Sequence, residues 1–295
     1  MERPIVFDRK MLRQRRRRAA LRDPATFLLD AVAQELAERL SVVARRFALA
    51  VDLGTPGDAV VRALAAANIG TLISVTPDAA YERAPRIVAD EEALPLRDGC
   101  LDLVVSALAL QFVNDLPGAL VQIRRALKPD GLFLAALIGG DSLTELRQAF
   151  AAAEEEIEGG VSPRVAPFIE LREGGGLLQR AGFALPVADI DRLTVRYDNA
   201  FALMHDLRRM GATNALTQRR RVLLKRATVM RMAEIYRENF SDPDGRVRAT
   251  FDIVWLSGWA PHESQQKPLA PGSAAARLAD ALGTRENSAG EKAGG

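Results

Sequence analysis

Apolar residues recur along this chain in two alternating rhythms. Over residues 26–47, Leu29, Val32, Leu36, Leu40 and Val43 follow at steps of three and four, the stripe of a helix laid on a core. Compact apolar runs then alternate with helical patterns. "FALAVDLG", "TLISV", "RIVAD", "CLDLVVSALAL" and "LFLAALIGG" predict strands, and "DAVVRALAAAN", "TPDAAYERA" and "DLPGALVQIRRALKPDG" predict helices between them. Thr76 and Pro77 suit the N-cap and first position of the second of these helices, and Lys128-Pro129-Asp130-Gly131 suits a stop after the third. Strands this apolar, joined through helices, predict a mostly parallel sheet covered on both faces, the doubly wound α/β class. Ligands of such sheets bind at the carboxyl ends of the strands, here just after Asp52, Val75, Asp90 and Ser106.

After Gly140 the pattern changes. A helix is expected from Ser142, with Leu143, Leu146, Phe150 and Ala153 on one face and Glu145 spaced to complete a capping box. A glycine- and proline-rich insertion follows at about 157–176. A short helix "LLQRAGF", an alternating strand "ADIDRLTVRY", a helical insertion over about 199–240 and a last strand "RVRATFDIVWLSGWA" bring the predicted strands to seven. The organisation read from this is a basic helical segment at 1–46, a sheet domain at 47–260, and a tail at 261–295 whose Ala, Gly, Pro and Ser content predicts flexibility.

Composition narrows the function. A formal net charge of +2 over 295 residues gives no strong field and disfavours nucleic acid as a partner. The single cysteine, Cys100, excludes an internal disulfide and a cysteine-rich metal site, and its place before an apolar strand predicts a buried thiol. No apolar run reaches the roughly 20 residues that a spanning helix needs. With "FDR" already at residue 7, no room is expected for a cleavable presequence, so a reducing, cytoplasmic and bacterial setting is expected, or the mitochondrial matrix side in a eukaryote, with peripheral contact to the inner membrane. The run Arg15, Arg16, Arg17, Arg18 reads as a solvated helix face or as a peripheral contact with anionic lipid. Arg219, Arg220, Arg221, Lys225 and Arg226 form a second basic patch of the same kind. The two histidines, His205 and His262, are not spaced for a shared metal centre, so no metal is expected.

The chemistry starts at "AVDLGTPGDAVV", a strand ending in an acid and a glycine turn opening a helix. A nucleotide-type cofactor turn wants glycine at alternate positions after the acid, because a Cβ there would meet the ligand. Gly54 satisfies this, while Pro56 and Asp58 stand in the next two places. Pro56 removes a backbone donor, and Asp58 puts a carboxylate beside the cofactor's own; Gly57 restores part of the turn in a shifted register. Two readings stand together: a weakened cofactor turn, or a plain connection from strand to helix.

The acid-ended first strand and "LKPDG" resemble class I S-adenosylmethionine methyltransferases, which have a Rossmann-like fold. "FDR", "ADEEALPL", "GGDSLTELR", "EGGVSPRVAPF" and "GWAPHESQ" resemble more closely the mitochondrial complex I assembly factors that act as arginine hydroxylases, over roughly residues 7–266. This resemblance implies a methyltransferase fold acting on an arginine of the quinone-site iron–sulfur subunit of NADH:ubiquinone oxidoreductase; it does not indicate the oxidant. It implies an S-adenosylmethionine site made by Asp52, Gly54, Gly57, Ser106, Asp90 and Glu91, with Thr76 where the family's ribose-binding acid falls. Losing that charged acceptor removes roughly 1.5–3 kcal/mol, about one to two decades of affinity. Asp141 and Glu145 are candidates to hold the client guanidinium, the planar fork that paired carboxylates suit, beside their bland reading as helix caps. Ser162 on the lid insertion and His262 in "PHESQ" complete the catalytic candidates. The alternatives are an O-methyltransferase of a small molecule or carrier-bound carboxylate, as in the biotin pathway, and a non-catalytic assembly chaperone.

Overall fold

The computed structural model describes residues 5–77, 85–266 and 283–284. The chain divides into two compact units, Met1–Pro261 and His262–Gly295. In the first, seven strands form one sheet: β1 Phe47–Leu53, β2 Ile69–Thr76, β3 Arg86–Val88, β4 Leu101–Ala107, β5 Leu127–Ile138, β6 Ala184–Tyr197 and β7 Val247–Trp259. Their order is β3-β2-β1-β4-β5-β7-β6. β1 to β5 run parallel, and β7 inserts antiparallel between β5 and β6. Strand order reverses between β1 and β4, where Asp52 lies in register with Val105, and a ligand crevice is expected beyond that pair.

Among the described residues eight α-helices accompany the sheet: α1 Arg9–Ala20, α2 Phe27–Ser41, α3 Ala59–Ala63, α4 Leu116–Ala126, α5 Thr144–Glu158, α6 Leu171–Arg180, α7 Ala200–Arg209 and α8 Arg226–Phe240. The period of two along β4 feeds both faces. Leu103 and Val105 enter one core with Leu36 of α2 and Phe150 of α5, while Val104 enters the other with Ile123 of α4 and Leu178 of α6. A third, small cluster joins Phe7 and Leu12 to Phe112, Ala215 and Leu216, which seats the amino-terminal segment on this unit.

The structure corrects several sequence expectations. α3 stops at Ala63, because the chain must turn back into β2; Asn68 O already accepts from Phe47 N at 3.0 Å. α6 begins at Leu171 and runs through the three glycines read as loop. A Cβ on Gly174 would lie 2.8 Å from Leu256 Cδ2, so the missing side chain lets α6 sit directly on β7. α8 begins only at Arg226. The capping box does not form: Ser142 Oγ donates to Asp252 O and receives Asp252 N, and Glu145 turns to Thr250. The helix expected through Asp78 and most of the tail at 261–295 lie outside the described residues.

Candidate active site

The residues expected to hold a cofactor gather at the carboxyl edge of β1 to β4. Gly54 and Gly57 take φ of 72° and 79°, a conformation that glycine adopts without strain, and Gly54 N donates to Val75 O at 2.7 Å. Thr76 O receives Ala89 N at 3.1 Å, bringing the end of β2 beside the acids that follow β3. Glu91 Oε1 lies 2.8 Å from where a Cβ on Gly54 would stand. Two expected ligands serve the frame instead. Ser106 Oγ donates to Leu53 O at 2.7 Å, and Asp52, 1% exposed, receives the Thr55 hydroxyl. Burial pushes the Asp52 carboxyl up to about 7, with the Thr55 bond opposing the shift.

The acids after β3 already have partners. Arg9 of α1 pairs with Asp90 and Glu91 and lies 3.2 Å from Glu92 Oε1; Arg13, one turn on, pairs with Asp90 as well. Burial alone would raise the Asp90 pKa, but the Glu92 N–H and the Arg9 and Arg13 guanidiniums outweigh it and hold the carboxyl below its ordinary range. The "FDR" string explains this placement. Phe7 meets the Phe112 ring edge-on at 5.6 Å, and Asp8 caps α1 by accepting from Met11 N at 3.0 Å. Asn114 Oδ1 accepts from Val6 N and Phe7 N at 2.9 and 2.8 Å.

The arginine run is accordingly not one solvated face. Arg15 donates to Thr213 O and Asn214 O, and Arg16 donates to Leu108 O while lying 5.1 Å from the Phe112 ring centroid. Only Arg17 and Arg18 of the four are exposed. In the second basic patch, Arg219 pairs with Asp8, and Arg220 and Lys225 pair with Glu158.

Beyond the switch point a cavity of about 540 Å³ opens between the glycine turn, the start of α2 and the end of α7. Leu28, Leu29, Leu143, Phe168 and Phe251 give it apolar walls. Of its three lining cations, Arg62 pairs with Asp58 and Asp30, Arg209 pairs with Asp23 and Asp206, and Arg16 donates to Leu108 O. Gln111 lines it, is 8% exposed, and carries an amide oxygen with no hydrogen-bond partner. A volume of this size with few polar groups matches a small-molecule or side-chain pocket.

The structure does not bring Asp141, Glu145 or Ser162 into this cavity. Asp141 does hold a guanidinium, but that of Arg192 at 2.7 Å, which it shares with the buried Asp252. Glu145 receives the Thr250 hydroxyl and N–H at 2.5 and 3.1 Å. Ser162 donates to Glu154, whose carboxylate also takes Ser162 N and Arg164 and so moors the loop at 159–170. His262 belongs to the second unit, where its Nδ1 lies 2.6 Å from Ser264 Oγ. His205 is exposed on α7, and among the described residues no group of metal-ligating side chains converges.

The site fits S-adenosylmethionine at one end. The positive-φ glycines give a backbone that a ligand can approach, and the cavity opens beside Pro56 and Gly57. At the adenosine end Thr76 offers no carboxylate and two guanidiniums hold Asp90, while at the amino-acid end the Glu91 side chain stands over Gly54. Sequence reasoning missed Thr55, Gln111, Glu154 and Arg9. Two of them stand in motifs that the sequence singles out, Arg9 in "FDR" and Thr55 in the glycine turn.

Comparison with known proteins places this geometry. A family model described as a methyltransferase domain matches residues 51–135. The arginine-hydroxylase NDUFAF5 of Danio rerio is 39% identical over 286 residues, covering 93% of this chain and 89% of its own. The human protein of that name is 40% identical over 280 residues, covering 91% and 81%. A malonyl-[acyl-carrier protein] O-methyltransferase of Laribacter hongkongensis is 41% identical over 193 residues, covering 65% and 62%. Among solved structures, YcgJ of Bacillus subtilis superposes with a TM-score of 0.52 at 15% identity, covering 77% of this chain and 98% of that one, a likeness of fold alone.

Proposed function

This chain belongs to the NDUFAF5 arginine-hydroxylase family, and on that footing we propose that it hydroxylates an arginine of the quinone-site iron–sulfur subunit during complex I assembly. The observation that carries this reading is the cavity at the strand ends. Its apolar walls suit the methylene stem of an arginine, and the Gln111 amide, buried and unsatisfied, meets the head of an entering side chain. The loop moored by Glu154 carries Phe168 onto the wall of the same cavity.

S-adenosylmethionine would be held at its amino-acid end by Gly54 and Gly57 and at its adenosine by Thr76 and Asp90, and would help to orient the client side chain. The chain's own residues bind and orient; the hydroxylation replaces one C–H by C–OH, a two-electron oxidation for which dioxygen would supply the inserted oxygen atom and an external two-electron donor would reduce the second oxygen atom to water. Arg17 and Arg18, both exposed, are the part of the arginine run that reaches an anionic membrane surface in this reading.

The test is deletion of the gene followed by intact-mass measurement of the quinone-site subunit. A deficit of one oxygen atom is expected. The match to a malonyl carrier O-methyltransferase favours a second reading, for which the same experiment gives an unchanged subunit and purified protein methylates a malonyl thioester. An unchanged mass with failed assembly points to a chaperone without chemistry.

A further inference from the structure

From the way Arg9 seats in the acids after β3, we infer that it is a side-chain gate on the cofactor side of the cleft, from Gly54 to Asp90. An adenosine-type ligand and the Arg9 guanidinium exclude one another there, while α1 itself stays in place. The inference rests on the proposed cofactor site.

Three observations converge on it. Arg9 reaches Asp90 and Glu91 at once, with its side chain 13% exposed and that of Glu91 4% exposed, so the pair is largely shielded from water. The same Glu91 covers Gly54, the one position of the turn with both the required glycine and a positive φ. A ligand approaching that backbone must displace the Glu91 carboxyl. Glu91 cannot leave alone, because Arg9 would keep a buried charge with fewer partners.

The helix that carries Arg9 is held independently. Asp8 N donates to Ala215 O at 2.8 Å and Thr217 N to Val6 O at 2.9 Å, Asn114 fixes the two residues ahead of Asp8, and Leu12 is buried. Of these anchors only Asn114 touches the acids, its N–H donating to Glu92 Oε1 at 2.6 Å; the bonds to Ala215 and Val6 and the burial of Leu12 do not depend on them. Arg13 and Arg16 add two more attachments along the same face, at Asp90 and at Leu108 O. Swinging one guanidinium aside leaves most of that anchorage intact, whereas lifting α1 would break all of it.

Calorimetry of the full chain with S-adenosylhomocysteine tests the gate, using Arg9→Gln and, separately, Glu91→Ala, with hydrogen exchange of residues 5–20 followed alongside. Both variants are expected to bind the probe at least about tenfold more tightly than the wild type, the size of one charge-assisted contact removed from competition. The α1 amides are expected to keep their protection when the probe binds. Weaker binding by Arg9→Gln would make Arg9 a ligand of the cofactor and overturn the gate. Equal affinities, or α1 amides that open on binding, overturn it too. No binding by any of the three proteins removes the cofactor site itself and the gate with it, an outcome distinct from equal binding. A lowered melting temperature of Arg9→Gln leaves Glu91→Ala to decide.

Discussion

The Thr55 hydroxyl donates to Asp52 Oδ1 at 2.5 Å and receives Ala107 N at 3.0 Å, so one threonine ties the acid of β1 to the end of β4 across the switch point. This gives Asp52 a structural place where the sequence had suggested a ligand. Burial lifts its carboxyl from the ordinary 3.8 to about 7. Between those two values the folded protein keeps a proton that the unfolded chain has released. Stability is therefore full below the lower value and falls as pH rises through the upper one, by up to roughly 4 kcal/mol. Asp52→Asn should match the wild type at pH 4 and exceed it at pH 8 in urea unfolding. Parallel curves would remove the shift.

The loop at 159–170 depends on Glu154, which is fully buried and accepts from both Ser162 and Arg164. Glu154→Gln leaves the Arg164 guanidinium without its counter-charge and should lose about 3 kcal/mol, with faster amide exchange confined to that loop. Ser162→Ala removes one hydroxyl bond, about 1 kcal/mol, and should keep the client hydroxylation proposed above. Abolished hydroxylation in a well-folded Ser162→Ala protein would restore Ser162 to the catalytic group.

Arg192 lies between two carboxylates of unequal burial: the side chain of Asp252 is 2% exposed and that of Asp141 68%. Exposed pairs contribute about 0–1 kcal/mol, whereas breaking a buried one costs about 3–5 kcal/mol. Asp141→Asn should leave the melting temperature nearly unchanged, and Asp252→Asn should lower it clearly. The opposite order would mean that Asp141 has a partner beyond Arg192.

Gly54→Ala meets two penalties. The positive φ strains any L-residue by roughly 1–2 kcal/mol, and the new methyl group would stand 2.8 Å from Glu91 Oε1 and 3.1 Å from Ala109 Cβ. Adding Glu91→Ala relieves the first of those contacts and should recover part of the loss. Strict additivity in the double variant would show that Glu91 does not press on Gly54.

The sheet was legible because β1, β4 and β5 are runs of apolar residues too short for helices, bounded by turn residues, and burial on both faces leaves that trace in any order of strands. α6 was not legible at its start. Three consecutive glycines read as loop by local propensity, and only contact with Leu256 of β7 explains why a helix tolerates them. The cofactor-side acids were found because they end strands. Their partner was not, because Arg9 and Asp90 stand 81 positions apart and no local rule connects them. The spacing of Ser142 and Glu145 misled for the same reason: Thr250 and Asp252, distant in sequence, offered both side chains better partners than the helix start did.

The bridge between Phe7 and Leu216 has a consequence for how the protein is made. The stretch bearing Arg9 leaves the ribosome some two hundred peptide bonds before Ala215 and Leu216, which complete its seat. Until then the newborn chain holds that basic stretch only by its earlier partners, among them Asn114 and Phe112. Completion of the pocket is thus coupled to synthesis through Leu216, and a nascent chain halted before it would carry the strands that end at the site without a finished place to bind.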